Sequence, residues 1–236
     1  MNPNLAPAGK YFPLLVEIRR RLVLVMLLFA AGSLLGFIFY ERIVTFILGF
    51  FSFQGVNIVF TTPFQFFTLA INCGLVVGVI IIIPVLIYET LSFLRPALKP
   101  HEYRLVAGLL PLGLVLFAGG FVYGVVMMKY LVQIFYRSSV RLQIGNILDV
   151  ESFLSKILMT GLLMGIAFLF PIVITILMQL KLVSHQAFSK WRQMAYLIGI
   201  VFVILLPPPD LVSDVILFLP LAILFELTLI LNRLRR

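Results

Sequence analysis

Charged residues are scarce in this chain. Lys, Arg, Asp and Glu make up only 11% of the 236 residues, whereas hydrophobic residues make up 62% and the mean hydropathy is +1.17. A soluble domain has about half of its residues apolar and about a quarter charged, so this composition excludes a soluble globular protein. The sequence therefore predicts a membrane protein with almost no length left for a separate soluble domain.

Cysteine and histidine are also scarce. The single Cys73 excludes an intrachain disulfide, and His101 and His185 lie far apart without metal-ligand spacing. No Gly-rich phosphate loop is present, and no His, Asp, Glu and Ser residues group at catalytic spacing, so we expect no metal, no cofactor and no enzyme activity. The amino-terminal segment lacks an apolar core followed by a small-residue cleavage site, so we expect no cleaved signal peptide.

Long apolar runs are what the chain has in abundance. Six of them predict six transmembrane helices. The runs cover residues 22–39, 66–93, 105–128, 157–180, 194–206 and 215–231. The fifth has 13 residues and the sixth is only a little longer, while a spanning helix usually takes about 20. The sequence thus predicts an all-α polytopic membrane protein, one domain over residues 1–236, whose two final helices are short.

Positive charge is divided unevenly between the two sides of this pattern. Thirteen of the 18 Lys and Arg residues lie at the two termini and in the second and fourth gaps, and five lie on the other side. Because cations are retained on the cytoplasmic face, both termini are predicted to be cytoplasmic. The net charge of +9 needs no nucleic-acid partner, since cations beside anionic lipid headgroups account for it.

Two segments on the predicted outer side, about 40–62 and about 129–155, carry apolar and polar residues at helical spacing. Neither has the composition of a further span, so we expect both to lie along the membrane interface.

Small residues and prolines recur inside the apolar runs. Glycines four residues apart share one helix face and favour close packing between helices of the chain. These pairs are Gly32/Gly36, Gly74/Gly78, Gly120/Gly124 and Gly161/Gly165. A proline inside a helix removes an amide donor and bends the helix, so the body is predicted to be curved and concave. The prolines concerned are Pro84, Pro111, Pro171 and Pro220.

Two carboxylates at the predicted cytoplasmic edge each have two readings. Glu17 either pairs with Arg21, four residues away on the same helix face, or binds a ligand. Glu102 either stabilises the amino terminus of the third span or binds a ligand. A ligand with paired arginines would select such groups, because a guanidinium binds a carboxylate through two parallel hydrogen bonds.

Other polar residues lie within or between the spans. Glu89 and Glu226 are inside apolar runs near their cytoplasmic ends, where a carboxylate either reaches the interface or faces a partner. Asn72 and Gln179 are predicted to make helix–helix contacts, and Asp210 to cap the outer turn before the sixth span.

An ordered series of motifs covers nearly the whole chain. It consists of Glu17-Ile-Arg-Arg-Arg-Leu, Thr62-Pro63, Phe93-Leu-Arg-Pro96-Ala-Leu-Lys-Pro-His-Glu102, Phe121 and Tyr123, Phe168 and Pro171, Arg192, Pro208-Pro209-Asp210, Pro220 and Glu226. In this order and spacing the chain resembles the TatC family, the multi-spanning receptors of the twin-arginine protein translocase.

The resemblance implies six helices in a glove-like concave arrangement with both termini in the cytoplasm. It implies a receptor that binds paired-arginine signal peptides for the export of folded proteins, driven by the proton-motive force. The implied signal-peptide-binding residues are Glu17, Arg19, Phe93, Pro96 and Glu102. The implied partners are TatA-like and TatB-like single-span proteins and membrane lipid, with several copies of the chain in the receptor complex. The implied location is the bacterial inner membrane, with thylakoid and mitochondrial membranes as the alternatives.

The chain departs from the family pattern at four places. Leu169 stands where the family often has Glu or Gln before the fourth-span proline, and Gln65 where it has Glu after the first outer segment. Glu89 replaces a Gln, and Pro207 replaces a Thr. The residues expected to be related to partners or transport are Pro63, Gln65, Glu89, Leu169, Asp210 and Glu226.

A small-solute or ion transporter is the alternative function. It would need convergent polar groups near the membrane midplane to replace the water around its solute. The chain has the isolated Asn72 and Gln179 instead, and its carboxylates cluster at the predicted cytoplasmic edge, so a binding and scaffolding receptor is favoured.

Overall fold

The computed structural model describes residues 8–51, 57–59, 62–94, 103–104, 107–141, 147–179, 192–207 and 210–234. Within these residues the chain is almost entirely helical, as predicted. The elements in order are α1 Ala8–Ile38, α2 Tyr40–Phe51, β1 Asn57–Val59, α3 Gln65–Leu94, α4 Leu109–Arg141, β2 Ile147–Asp149, α5 Val150–Ala167, α6 Phe170–Gln179, α7 Arg192–Ile204 and α8 Leu211–Leu234.

Five stretches are long and apolar enough to cross a membrane. They are Val16–Ile38, Gln65–Phe93, Leu109–Phe135, Val150–Met178 and Leu211–Leu231. The 13 residues of α7 extend only about 20 Å at 1.5 Å per residue, so the sixth span stays a prediction. The multiple apolar helices are those of an integral membrane protein.

Several helices extend beyond the predicted spans. Helix α8 has 24 residues, so only α7 of the last pair is short; α8 starts directly after Asp210 and includes polar residues that the apolar run left out. Helix α4 continues past the predicted end at Met128 to Arg141. The first part of the predicted outer interfacial segment is therefore the end of a long helix. The hydrogen bonds of a helix join backbone groups, so the helix can continue where the apolar side chains end.

The four prolines behave in two ways. Helices α3 and α8 run through Pro84 and Pro220. Pro171 and Pro111 instead lie in the first turns of α6 and α4, where the missing amide would have no intrahelical acceptor anyway. A turn at Phe168 and Leu169 separates α5 from α6 and breaks the fourth apolar run.

The glycine pairs bring helices of this chain together, as predicted. A Cβ on Gly36 would lie 2.9 Å from the Cα of Gly74, and a Cβ on Gly124 would lie 2.8 Å from the Cα of Gly161. Such distances leave no space for a side chain. The glycines thus let α1 cross α3, and α4 cross α5, with their backbones in contact.

On the predicted outer side, α2 is amphipathic, as predicted. Ile47 and Phe51 are buried in the main core with residues of α3, α4 and α5, while Phe46 on the opposite face is 77% exposed. Strands β1 and β2 pair in parallel, with Asn57 opposite Ile147. This pairing was not predicted, because neither three-residue strand has enough residues to show alternation.

Candidate functional site

A cluster of three charged side chains joins the beginning of α1 to the end of α3. Arg21 Nη1 donates to Glu89 Oε2 at 2.9 Å and to the backbone oxygen of Glu89 at 3.0 Å, and Arg21 Nη2 donates to Glu17 Oε1. We name Glu17, Arg21 and Glu89 the inner triad. One guanidinium thus serves two carboxylates, 68 residues and four residues away in sequence.

The helix arrangement explains why these residues meet. Helices α1 and α3 are antiparallel and cross at Gly36 and Gly74, so the start of α1 reaches the end of α3. Residues 17 and 21 are one helical turn apart and share a face. Glu17 was predicted either to pair with Arg21 or to bind a ligand, and in this structure it pairs with Arg21. Glu89 was predicted either to reach the membrane interface or to face a partner, and in this structure its carboxylate faces Arg21.

Solvent access differs among the members of the inner triad. The side chain of Glu17 is 51% exposed, whereas those of Arg21 and Glu89 are 23% and 21% exposed. Glu89 accepts from Arg21 in the more shielded part, where its charge is compensated. The side chain of Glu17 stays about half open to its surroundings.

The remaining predicted ligand-binding residues are placed as follows. Phe93 is one turn beyond Glu89 on α3 and is 39% exposed, and Arg19 is exposed on α1. Pro96 and Glu102 lie outside the described residues. Tyr103, which follows Glu102 in sequence, packs with Leu91 near the end of α3.

A second cluster lies between α7 and α8. Glu226 accepts a hydrogen bond from the hydroxyl of Tyr196, and Arg192 Nη2 lies 3.5 Å from Glu226 Oε2. The Tyr196 ring meets the rings of Phe218 and Phe225 edge-on, with centroids 6.2 Å and 5.5 Å apart. Glu226 therefore also faces partners of the same chain.

The predicted residues at the outer end join loops to helices. Gln65 donates to Asp149, which caps α5 by accepting from the amide of Ser152 at 2.9 Å. Asp210 caps α8, as predicted, by accepting from the amide of Ser213 at 2.8 Å. Pro63 is exposed just before α3.

Asn72 and Leu169 both lie between helices. Asn72 Nδ2 donates to Ser155 Oγ at 2.8 Å, which confirms the predicted helix–helix contact. The side chain of Gln179 lies outside the described residues. Leu169 is partly buried against the main core, and its neighbour Phe168 stacks on Tyr123 with ring centroids 6.0 Å apart. Apolar packing fills the place where the family often has a polar side chain.

Sequence reasoning missed two partners in these clusters. Arg21 was recognised only as a partner of Glu17, because its contact with Glu89 depends on tertiary structure. Tyr196 was counted as part of an apolar run, although its hydroxyl binds Glu226. The signal in the sequence was a tyrosine near the start of the fifth apolar run, since the sixth apolar run contains a glutamate.

Comparison with known proteins agrees with this architecture. The sequence profile of the family described as "Sec-independent protein translocase protein (TatC)" matches residues 13–220. The Sec-independent protein translocase protein TatC of Aquifex aeolicus is 31% identical over 92% of this chain and 92% of its own length. That of Desulforapulum autotrophicum is 32% identical over 91% of this chain and 80% of its own length.

Two solved structures have the same fold. A crystal structure of the twin-arginine translocase receptor TatC in DDM superposes with a TM-score of 0.81, at 27% identity over 92% of this chain and 98% of that chain. A second crystal structure of that receptor has a TM-score of 0.77, at 25% identity over 93% of this chain and 98% of that chain.

Proposed function

The chain belongs to the TatC family of Sec-independent protein translocase subunits, and on this premise we propose that it binds paired-arginine signal peptides at its cytoplasmic face. The family consists of translocase components rather than enzymes, and this chain is an integral membrane subunit of the twin-arginine translocase. The proposed role is the export of folded proteins across a bacterial inner membrane, driven by the proton-motive force.

The observation that carries this proposal is the state of Glu17. Its side chain is half exposed, and its carboxylate already accepts a hydrogen bond from the guanidinium of Arg21. The position therefore suits the chemical group that a signal-peptide arginine would bring. A hydrogen bond to a charged group contributes about 1.5–3 kcal/mol, so one such contact is enough to affect recognition.

The surroundings of Glu17 also suit such a peptide. Phe93 presents an exposed ring one turn beyond Glu89, and aromatic faces attract guanidinium groups. In our proposal Glu102 supplies the second carboxylate, while Arg19 and Pro96 shape the rest of the site. The packing of Tyr103 against Leu91 supports this arrangement, because it holds the residue after Glu102 near the end of α3.

The proposed partners are TatA-like and TatB-like single-span proteins, with several copies of this chain in the receptor complex. Pro63, Gln65, Glu89, Leu169, Asp210 and Glu226 remain the residues that we propose to be related to partners or transport. Because Leu169 packs into the core, a partner helix would find no fourth-span carboxylate at this position. We propose that docking relies on apolar packing instead, since hydrogen bonds in membranes average only about 0.6 kcal/mol.

The test is a binding measurement on the full-length protein in lipid nanodiscs. A fluorescent signal peptide with Arg-Arg should bind at least about tenfold more tightly than the same peptide with Lys-Lys, because lysine cannot form the paired contacts of a guanidinium. Glu17→Lys should abolish this preference. Glu41→Lys is the matched control, since Glu41 is an exposed glutamate on the predicted outer side. Equal binding of the two peptides would overturn the proposal.

A further inference from the structure

The inner triad contains its own arginine at the place proposed for a signal-peptide arginine. We propose that Arg21 pairs with Glu17 while no peptide is bound. When a peptide arginine replaces Arg21 on Glu17, Arg21 stays paired with Glu89. This inference rests on the proposed function, and it assigns Arg21 as an internal competitor and Glu89 as a positioning residue.

The contacts of Arg21 are unequal, which gives the exchange a direction. Toward Glu89 the guanidinium donates twice, to a carboxylate oxygen at 2.9 Å and to the backbone oxygen at 3.0 Å. Toward Glu17 it makes one ion pair at 2.5 Å, and the side chain of Glu17 is 51% exposed. Exposed ion pairs contribute little to stability because water and salt screen them. The Glu17 contact is therefore the one that a ligand from solution would break.

The charges balance better after the exchange than before it. Without a ligand, one guanidinium is shared between two carboxylates, so the formal charges of the three side chains sum to −1. With a peptide arginine on Glu17 and Arg21 on Glu89, each carboxylate has its own guanidinium. Arg21 does not have to leave the protein surface or lose all its acceptors. Glu89 thereby lowers the cost of displacing Arg21 from Glu17.

Removal of Glu89 reverses this advantage. If residue 89 were Gln, Glu17 would be the one charged acceptor left to Arg21 among the described residues. A peptide arginine would then have to compete with Arg21 directly. We expect Glu89→Gln to weaken binding of an Arg-Arg signal peptide about two- to fivefold, the size that an exposed ion pair supports. We expect Arg21→Gln to tighten binding by a similar factor, because the internal competitor is gone.

A double-mutant cycle tests this coupling on the full-length protein in nanodiscs. The proteins are the wild type, Arg21→Gln, Glu89→Gln and the double variant, each titrated with the fluorescent Arg-Arg peptide. Two mutations that act through one contact are not additive. The effect of Glu89→Gln should therefore shrink or vanish in the Arg21→Gln background, where no arginine needs to be held aside.

Two controls separate the competitor from other roles. Arg20→Gln removes the same charge from an exposed neighbouring position, so any tightening that it shares with Arg21→Gln is bulk electrostatics. Arg21→Lys keeps the charge if Arg21→Gln unfolds, but its compact ammonium lacks the planar fork of the guanidinium and should hold the two carboxylates less well. It should tighten binding less than Arg21→Gln, in the same direction. Thermal unfolding of each variant reports the fold.

Each outcome decides the matter. Weaker binding by a folded Arg21→Gln or Arg21→Lys would show that Arg21 only joins α1 to α3, and would overturn the inference. An undiminished effect of Glu89→Gln in the Arg21→Gln background would make Glu89 a direct peptide ligand instead of a positioning residue. In both cases the wild type would still prefer Arg-Arg over Lys-Lys, and the proposed function would stand. Loss of that preference in the wild type would overturn both.

Discussion

The two ends of the helix bundle use their carboxylates differently. At the outer end, Asp149 and Asp210 accept hydrogen bonds from backbone amides in the first turns of α5 and α8. At the inner end, Glu17 and Glu89 accept hydrogen bonds from the side chain of Arg21. Arg21 lies four residues from Glu17 on the same helix, but 68 residues from Glu89 in the sequence. The outer carboxylates thus cap helices, while the inner carboxylates pair with the cation of a side chain.

This difference indicates where a ligand can bind. A capping carboxylate cannot leave its amide without exposing an unsatisfied donor, so its contact is fixed for as long as the helix is. A side-chain ion pair at an exposed surface can exchange its cation for another of the same kind. This difference supports our proposal that recognition occurs at the predicted cytoplasmic end, while the carboxylates of the predicted outer end cap helices.

The largest expected effect tests whether the two ends lie on opposite sides of the membrane. Cysteine at Arg20 should react with an impermeant maleimide only from the cytoplasm, and cysteine at Ser152 only from outside. The native Cys73 is fully buried, so the wild type should remain unlabelled and serves as the blank. Labelling of both positions from one side would contradict the predicted topology.

The next effect is on binding. The double variant Glu17→Lys, Glu102→Lys should lose at least about tenfold in affinity for an Arg-Arg peptide, because it loses charge-assisted contacts worth about 1.5–3 kcal/mol each. The thermal unfolding midpoint should change little, since exposed ion pairs stabilise weakly. Isothermal titration gives the affinity. A large loss of stability with unchanged affinity would assign these glutamates to folding.

The outer end should show the opposite pattern. Asp210→Ala removes the cap of α8 and should lower the free energy of unfolding by about 1 kcal/mol, while the peptide affinity stays at the wild-type value. Asp210→Asn is the control, because Asn caps a helix about as well as Asp does. Denaturant unfolding in detergent measures the difference. Weakened peptide binding by a folded Asp210→Ala would break the division between the two ends.

The smallest effect concerns the second inner cluster. Tyr196→Phe removes the hydrogen bond that Glu226 accepts from Tyr196. Glu226 then keeps its contact with Arg192. The free energy of unfolding should fall by about 1 kcal/mol or less, without a change in peptide affinity. A change in peptide affinity in this variant would extend the binding site to α7 and α8.

Much of this fold could be predicted from the sequence because long apolar runs determine where helices form. The glycine pairs also predicted close packing between helices of the chain, although not which helices cross, since a missing side chain on one face lets another backbone approach. The end of α4 beyond Met128 could not be predicted in this way. Hydropathy shows which residues are apolar enough to lie in a membrane, and a helix can extend beyond those residues. The two three-residue strands gave no periodic pattern at all.

The site was predictable only in part. The pairing of Glu17 with Arg21 follows from their spacing, which fixes a shared helix face. The contact of Arg21 with Glu89 depends on how α1 crosses α3, and hydropathy contains no information about that crossing. Knowing that Gly36 and Gly74 face each other would have been enough to bring the start of α1 to the end of α3.

The most direct test of recognition at the inner end is site-specific photocrosslinking to a folded twin-arginine precursor. A benzophenone side chain at Arg20 lies beside the inner triad, and one at Ser152 lies beside the cap of α5. We expect crosslinks from position 20 only, and we expect them to disappear when the precursor carries Lys-Lys instead of Arg-Arg. Crosslinks from position 152 that depend on Arg-Arg, with none from position 20, would contradict this expectation.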